Sequence, residues 1–235
     1  MPLVTQVAVA CCTDGMEWAL LAGLSDADRR VVLASAHRRR FARGEVVFHE
    51  ADPADTVHLV AEGRLAVRRS TSRGDTVTFS ILGPGDTFGE VAMLGAEPRR
   101  SSTVVALEPA VTLTLGFAEL DRLRSSHPVL ERHLVGLLAL QVKRLSDHLL
   151  EALHVPADER IIRRLLEVCG RYGVADARGS VVVPLTQDAV GDLAGASRPT
   201  TNRVLRRLEA DGILALHRGS IEVLDRAALA RRVAR

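Results

Sequence analysis

Between Leu185 and Leu208 the chain carries a pattern that few folds accommodate: a capping residue, a short amphipathic run, a glycine, a second capping residue and a second amphipathic run rich in arginine. Val181–Leu185 reads as a strand. Thr186 follows as an N-cap, and Gln187–Ala194 as a short helix that turns Val190 and Leu193 inward. Gly195 stands where a helix ends in a left-handed residue, a conformation that costs glycine nothing. Ser197 then caps a second helix, with Pro199 in its first turn, where the missing N–H has no intrahelical partner to lose. Val204, Leu205 and Leu208 form its apolar side, and Arg198, Thr200, Thr201, Asn202, Arg203, Arg206 and Arg207 are expected on the other.

Helix, glycine turn, then a helix with arginines near its start is what reading the major groove of double-stranded DNA requires. The guanidinium fork matches O6 and N7 of guanine, while serine, threonine and asparagine reach phosphates or base edges. The expected base contacts are Arg198 and Arg203, with Ser197, Thr200 and Asn202 secondary. Arg206 and Arg207 suit phosphate contact or plain exposure equally. Two short strands within Leu216–Val223, around His217-Arg218-Gly219-Ser220, read as a wing. Charge agrees with this placement. From Pro156 onward there are 14 arginines against 10 acidic residues, whereas residues 1–155 are slightly acidic.

Upstream, residues 17–37 read as one helix, with Trp18, Leu21, Leu24, Val31, Val32 and Ala36 about a turn apart and Ser25 and Asp26 available as caps within the run. Strand-like pieces follow at Val46–His49, Val57–Ala61, Arg64–Arg69, Val77–Leu82, Ser102–Ala106 and Val111–Leu115. Turn chemistry separates them at Arg43-Gly44, Ala51-Asp52-Pro53, Glu62-Gly63, Arg73-Gly74-Asp75 and Gly83-Pro84-Gly85-Asp86, which predicts a small sandwich or barrel. Pro128 then opens a long helix over Val129–Leu153. In it Val135, Leu138, Val142, Leu145, Leu149 and Ala152 recur at alternating intervals of 3 and 4, the seam of a coiled coil. Leu130, Leu134, Leu137 and Leu140/Gln141 form a second apolar face. A helix apolar on two sides needs two partners, so one face is expected to pack on the β domain and the other on a twin helix in a homodimer. Val155-Pro156-Ala157 breaks the helix, Asp158 can cap the next one, and Ile161, Ile162, Leu165, Leu166 and Val168 mark its buried stripe.

The expected organisation is therefore an N-terminal segment (1–16), a β domain (17–127), a dimerisation helix (128–155) and a DNA-binding domain (156–235). Three cysteines, Cys11, Cys12 and Cys169, show no C-x-x-C spacing or neighbouring histidine cluster, which argues against disulfides and structural metal. Residues 1–24 lack a basic n-region and a long apolar run, so neither a signal peptide nor a membrane span is expected, and the reading is cytoplasmic. No G-x-S-x-G, P-loop or H-E-x-x-H occurs, so no catalytic residue is assigned.

Three stretches together make the chain resemble the Crp-Fnr family of bacterial transcription regulators. The first is Gly85-Asp86-Thr87-Phe88-Gly89-Glu90-Val91-Ala92-Met93-Leu94 followed by Pro98-Arg99-Arg100-Ser101-Ser102-Thr103-Val104, which is similar to that family's phosphate-binding cassette. The second is the long helix directly after the β domain. The third is Leu193-Ala194-Gly195-Ala196-Ser197-Arg198-Pro199-Thr200-Thr201-Asn202-Arg203-Val204-Leu205. The resemblance implies an α+β fold: a β-roll (jelly roll) of cyclic-nucleotide-binding type, a dimerisation helix and a C-terminal winged helix-turn-helix. It also implies RNA polymerase as a protein partner, no obligatory cofactor, and a small anionic effector such as cyclic AMP.

In that resemblance Gly89, Glu90, Val91, Arg100 and Ser101 hold the effector, and Ser146 reaches it from the helix. The roles make chemical sense, because a cyclic phosphodiester needs a cation, close backbone donors and an acceptor for its free hydroxyl. The alternative is that Glu90 and Arg100 pair with each other across an empty β-roll. Some residues depart from the family pattern. Leu145 stands beside Ser146 where cyclic-AMP-responsive members place hydroxyls, Ala51 replaces a turn glycine, and Pro199 replaces an acidic base-reading residue.

Overall fold

The computed structural model describes residues 16–70, 76–95, 97–172 and 179–233. Cys11, Cys12 and the expected turn at Arg73-Gly74-Asp75 lie outside the described residues. The chain divides into two compact units, Met1–Leu65 with Leu82–Gln141, and Ala66–Ile81 with Val142–Arg235.

In the first unit, helix α1 (Asp26–Ser35) begins where the Ser25 side chain accepts from the Asp28 N–H. The single helix expected over 17–37 is corrected: Ala19–Leu21 makes one 3-10 turn, and Gly23, at φ +83°, breaks the run before the cap. Val31 is a second correction. It is 65% exposed while Val32 is fully buried, since neighbouring helical positions point about 100° apart. Trp18 is buried, and its indole N–H donates to the Val60 carbonyl at 3.0 Å, satisfying the one polar atom that its burial would otherwise orphan.

One antiparallel sheet has the order β1 (His37–Phe41), β8 (Ala110–Gly116), β3 (Thr56–Glu62), β6 (Thr87–Phe88). Strand β2 (Val46–Phe48) pairs with β7 (Thr103–Ala106), and β4 (Leu65–Ser70) neighbours β5 (Thr76–Leu82). Strands β1 and β6 escape a sequence reading, because His37-Arg38-Arg39-Arg40 has no apolar alternation and Thr87-Phe88 is too short to show any. The core gathers Trp18, Leu20, Leu59, Leu113, Leu115 and Leu120 with Leu130 and Leu134. Two further helices are short, α2 (Val91–Leu94) and α3 (Phe117–Ser126).

Helix α4 (Pro128–His154) matches its expected span. Leu130 and Leu134 enter the core and Leu137 packs against it, but the face stops there: Leu140 is 62% exposed and Gln141 is exposed too, which corrects their expected place on it. The seam positions Val135, Val142, Leu145 and Leu149 are instead 56%, 63%, 46% and 61% exposed.

In the second unit, helix α5 (Ala157–Tyr172) buries Ile161, Ile162, Leu165 and Val168, while Leu166 is only half-buried and Cys169 takes part in the core. Glu151 accepts from both Arg163 and Arg164, joining the end of α4 to α5 by charge-assisted bonds. The helices α6 (Gln187–Ala194) and α7 (Arg198–Ala210) and the three-stranded sheet β10 (Leu214–His217), β11 (Ser220–Val223), β9 (Val181–Val183) complete the winged helix-turn-helix, before a terminal α8 (Arg226–Arg231). The fold is thus the expected α+β one: β-roll, long helix, winged helix-turn-helix. Among the described residues, no helix is long and apolar enough to cross a membrane, and no cluster of potential metal ligands occurs.

Candidate DNA-reading element and effector site

The turn between α6 and α7 is built by local chemistry at both ends. The Thr186 hydroxyl accepts from the Ala189 N–H, Gly195 ends α6 at φ +56°, and the Ser197 hydroxyl accepts from the Thr200 N–H. The Arg160 guanidinium fastens the turn from α5, donating to the carbonyls of Ala194 at 2.9 Å and Gly195 at 3.0 Å. Close helix packing accounts for Gly191: a Cβ there would lie 2.6 Å from the Thr201 hydroxyl. Thr201 accordingly is buried, donating to the Ser197 carbonyl, and its expected place on the polar side is corrected. It lies one turn beyond Ser197, on the side that packs against α6.

Arg198, Asn202 and Arg203 are exposed at the start of α7, with Thr200 half-buried beside them. In the free protein each long side chain already has a weak partner. Arg198 pairs with Asp188 at 2.9 Å, Arg203 with Asp158 at 2.8 Å, and the Asn202 amide donates to the Gln187 side chain at 3.2 Å. Exposed ion pairs of this kind contribute about 0–1 kcal/mol, so DNA can take over these donors at little cost. Sequence reasoning misses Asp188, which is not periodic with Arg198, and expects Asp158 as a cap, whereas α5 already begins at Ala157 and Asp158 lies in its first turn, facing Arg203.

The β-roll brings a second set together. Gly89, at φ +89°, precedes Glu90 at the start of α2, and Arg100 lies across from them. A Cβ on residue 89 would come 2.6 Å from Arg100 Nη1, so glycine is needed there for space as well as backbone. Glu90 is 7% exposed and Arg100 5%. They do not pair with each other: Arg100 donates through Nη1 to the Thr56 carbonyl at 2.7 Å and through Nη2 to the Thr56 hydroxyl at 2.9 Å. Its guanidinium carbon lies 4.1 Å from the Phe48 ring centroid. Two buried atoms, Arg100 Nε and Glu90 Oε2, have no hydrogen-bond partner. Burial raises the Glu90 carboxyl above its ordinary range, and the nearby Arg100 charge opposes this only in part.

Val91 is half-buried at the start of α2, and Ser101 is exposed next to Arg100. Ser146, on α4, is exposed and donates its hydroxyl to the Val142 carbonyl of its own helix. Thr56 and Phe48 carry no motif, and only the sheet brings them to Arg100. Ala51, noted for replacing a turn glycine, is held at φ +69°, the one non-glycine with positive φ among the described residues. Behind the arginine, His58 stacks on Phe88 at 4.7 Å between centroids, lies edge-on to Phe48, and has Nδ1 3.1 Å from the Thr112 hydroxyl.

Two family models match the chain, one over each of these regions. Residues 38–127 match the cyclic nucleotide-binding domain, and residues 159–232 the Crp-like helix-turn-helix domain. The chain is 30% identical over 197 residues to a CRP-like cAMP-activated global transcriptional regulator of Mycobacterium tuberculosis, covering 82% of this chain and 86% of that protein. It is 30% identical over 210 residues to the cyclic AMP receptor protein of Thermus thermophilus, covering 89% and 94%. Among solved structures, FixK2 from Bradyrhizobium japonicum superposes with a TM-score of 0.74 at 25% identity, over 85% of this chain and 98% of that one.

Proposed function

The chain belongs to the Crp/Fnr family of transcription regulators, and from that premise we propose that it works as a homodimer whose β-roll binds a cyclic nucleotide, cyclic AMP first among them, to control DNA reading. The observation that carries the effector reading is the pair of buried, unpartnered polar atoms, Arg100 Nε and Glu90 Oε2, in the cassette. Leaving a buried polar group unpaired costs about 1–3 kcal/mol, more when it is charged. A cyclic phosphate supplies the acceptor for the first and a ribose hydroxyl the donor for the second. Gly89 leaves the space that the Arg100 guanidinium occupies.

The exposed seam of α4 supports the dimer, because a twin helix covers Val142, Leu145 and Leu149 in register. In the paired reader the two α7 helices enter successive major grooves ~34 Å apart, one turn of B-DNA. The effector acts by binding one arrangement of the dimer better than the other, a coupling of about 1–3 kcal/mol. The working division is a β-roll over 17–127, a dimer helix over 128–155 and a DNA-binding domain over 156–235, with RNA polymerase as the protein partner and the cytoplasm as the site of action.

Two measurements test this reading. On a site selected from random-sequence duplexes, Arg198→Ala and Arg203→Ala are each expected to weaken gel-shift affinity about tenfold or more, the cost of a lost bidentate base contact. Retention of binding by both variants would contradict the assignment of α7. In isothermal titration, cyclic AMP is expected to bind the wild type, and Arg100→Ala to bind about thirtyfold more weakly. No heat at millimolar nucleotide would remove the effector reading. A family member triggered by something other than a nucleotide is the second reading. Leu145, which offers no hydroxyl, and Ala51, held at φ +69°, favour it, and operator affinity unchanged by nucleotides would support it.

A further inference from the structure

We infer that Thr56 is a positioning residue for the effector's anionic group: it fixes the Arg100 guanidinium so that one edge is already used and the other is presented to the ligand. The inference rests on the effector reading above. A guanidinium has five N–H donors in a rigid planar fork with two usable edges, an end-on edge between Nη1 and Nη2 and a side-on edge between Nε and one Nη. Thr56 takes the end-on edge with two different atoms, its carbonyl from Nη1 and its hydroxyl from Nη2. The side-on edge carries Nε, the buried atom of Arg100 that has no partner.

Other contacts hold the same pose. Phe48 lies against the guanidinium face. The Arg100 backbone is clamped on both sides, its N–H donating to the Asp52 carbonyl at 2.9 Å and its carbonyl accepting from the Ala51 N–H at 2.8 Å. Space at Gly89 is set by this arrangement too: a Cβ there would lie 2.6 Å from Nη1 and 3.2 Å from the Thr56 carbonyl, so any side chain would drive the guanidinium off Thr56. A fork held this way selects a ligand with two acceptor oxygens in one plane, because its donor directions are fixed before the ligand arrives, which is where preorganisation raises affinity.

The test compares wild type, Thr56→Val, Thr56→Ser and Arg100→Ala in titrations with cyclic AMP and with its two phosphorothioate diastereomers, alongside thermal melts of the full chain. Thr56→Val keeps the carbonyl contact and loses the hydroxyl one, so it is expected to bind cyclic AMP about fivefold more weakly. It should also lose most of the wild type's preference between diastereomers, because a guanidinium free to swing no longer distinguishes the two exocyclic oxygens. Thr56→Ser restores the oxygen and is expected to restore both affinity and preference. A general loss of stability would lower the melting temperature without changing the diastereomer ratio. Should Thr56→Val not fold, Thr56→Ala makes the same comparison.

Wild-type affinity and wild-type preference in Thr56→Val, with binding lost in Arg100→Ala, would overturn the positioning role and leave the effector reading standing. No binding by the wild type would overturn both.

Discussion

Replacing Val142 and Leu149 together by glutamate is expected to leave the protein monomeric at micromolar concentration and to weaken its binding to a two-fold symmetric site by ~100-fold or more. Both residues lie more than 60% exposed on α4, and with Val135 and Leu145 they form an exposed apolar stripe at coiled-coil spacing; Leu140, Leu150 and Leu153 are exposed on the same helix. A twin helix would bury this stripe. The substitutions would then set carboxylates against one another in an apolar seam, where desolvation and like-charge repulsion both oppose association. The core face made by Leu130 and Leu134 is untouched, so the monomer should fold. Once the subunits separate, the second half-site no longer benefits from the high effective concentration that linkage confers. Sedimentation velocity reads the first effect and gel shift the second. A variant that still sediments as a dimer would remove α4 as the dimerising element.

A second large effect concerns acid. His58 is fully buried among Phe48, Phe88 and Thr112, and its pKa falls to about 3 from an ordinary 6.5. Burial is the main cause, with the positive charges of Arg100 and Arg39 adding to it. The sign follows directly. Below pH 6.5 the unfolded chain takes up a proton at this residue and the folded one does not, so stability falls as pH falls, and continues to fall until about pH 3. The slope from this one residue is about 1.4 kcal/mol per pH unit, or roughly 2 kcal/mol between pH 6.5 and 5, before most carboxylates titrate. His148 is also held below its usual value by burial and Arg164, and acts in the same direction. Chemical denaturation as a function of pH should show that loss in the wild type and a clearly shallower one in His58→Phe. Equal slopes in the two proteins would mean that His58 titrates normally.

Much of the DNA-reading element is legible in the sequence, because its determinants are local. Thr186 and Ser197 cap helices by bonding N–H groups three residues on, and Gly195 takes its left-handed conformation within one turn. The arginines reach the surface simply by lying opposite Val204, Leu205 and Leu208. The span of α4 is legible for the same reason, though not all of its exposed apolar residues: Leu140, Leu150 and Leu153 lie outside the expected seam. Thr201 shows where such reasoning stops: a polar residue in a polar-looking run is buried because Gly191 on α6 leaves room for it.

The β-roll was readable as a set of strands and a cassette, but not as a site. Glu90 and Arg100 stand out by motif, and a sequence reading can go no further than pairing them or assigning them a shared ligand. Their actual surroundings come from residues 44 and 52 positions before Arg100, Thr56 and Phe48, which the antiparallel register carries to it. Strand β1 was invisible because its arginines become a strand only by pairing with β8.

Returning to Leu185–Leu208, the sequence by itself determined that this segment is a capped, glycine-hinged pair of helices with an arginine-bearing face, and that a long helix runs from Pro128 to the break at Pro156. Only the tertiary structure decided that Arg198 and Arg203 rest on Asp188 and Asp158, that Thr201 belongs to the packing, and that Arg100 spends one edge on Thr56 while Nε is left without a partner. The physical reason is range. Capping and periodicity act over a few residues of backbone, whereas partners for buried charges are chosen by chain closure, which brings together residues that carry no mark of one another.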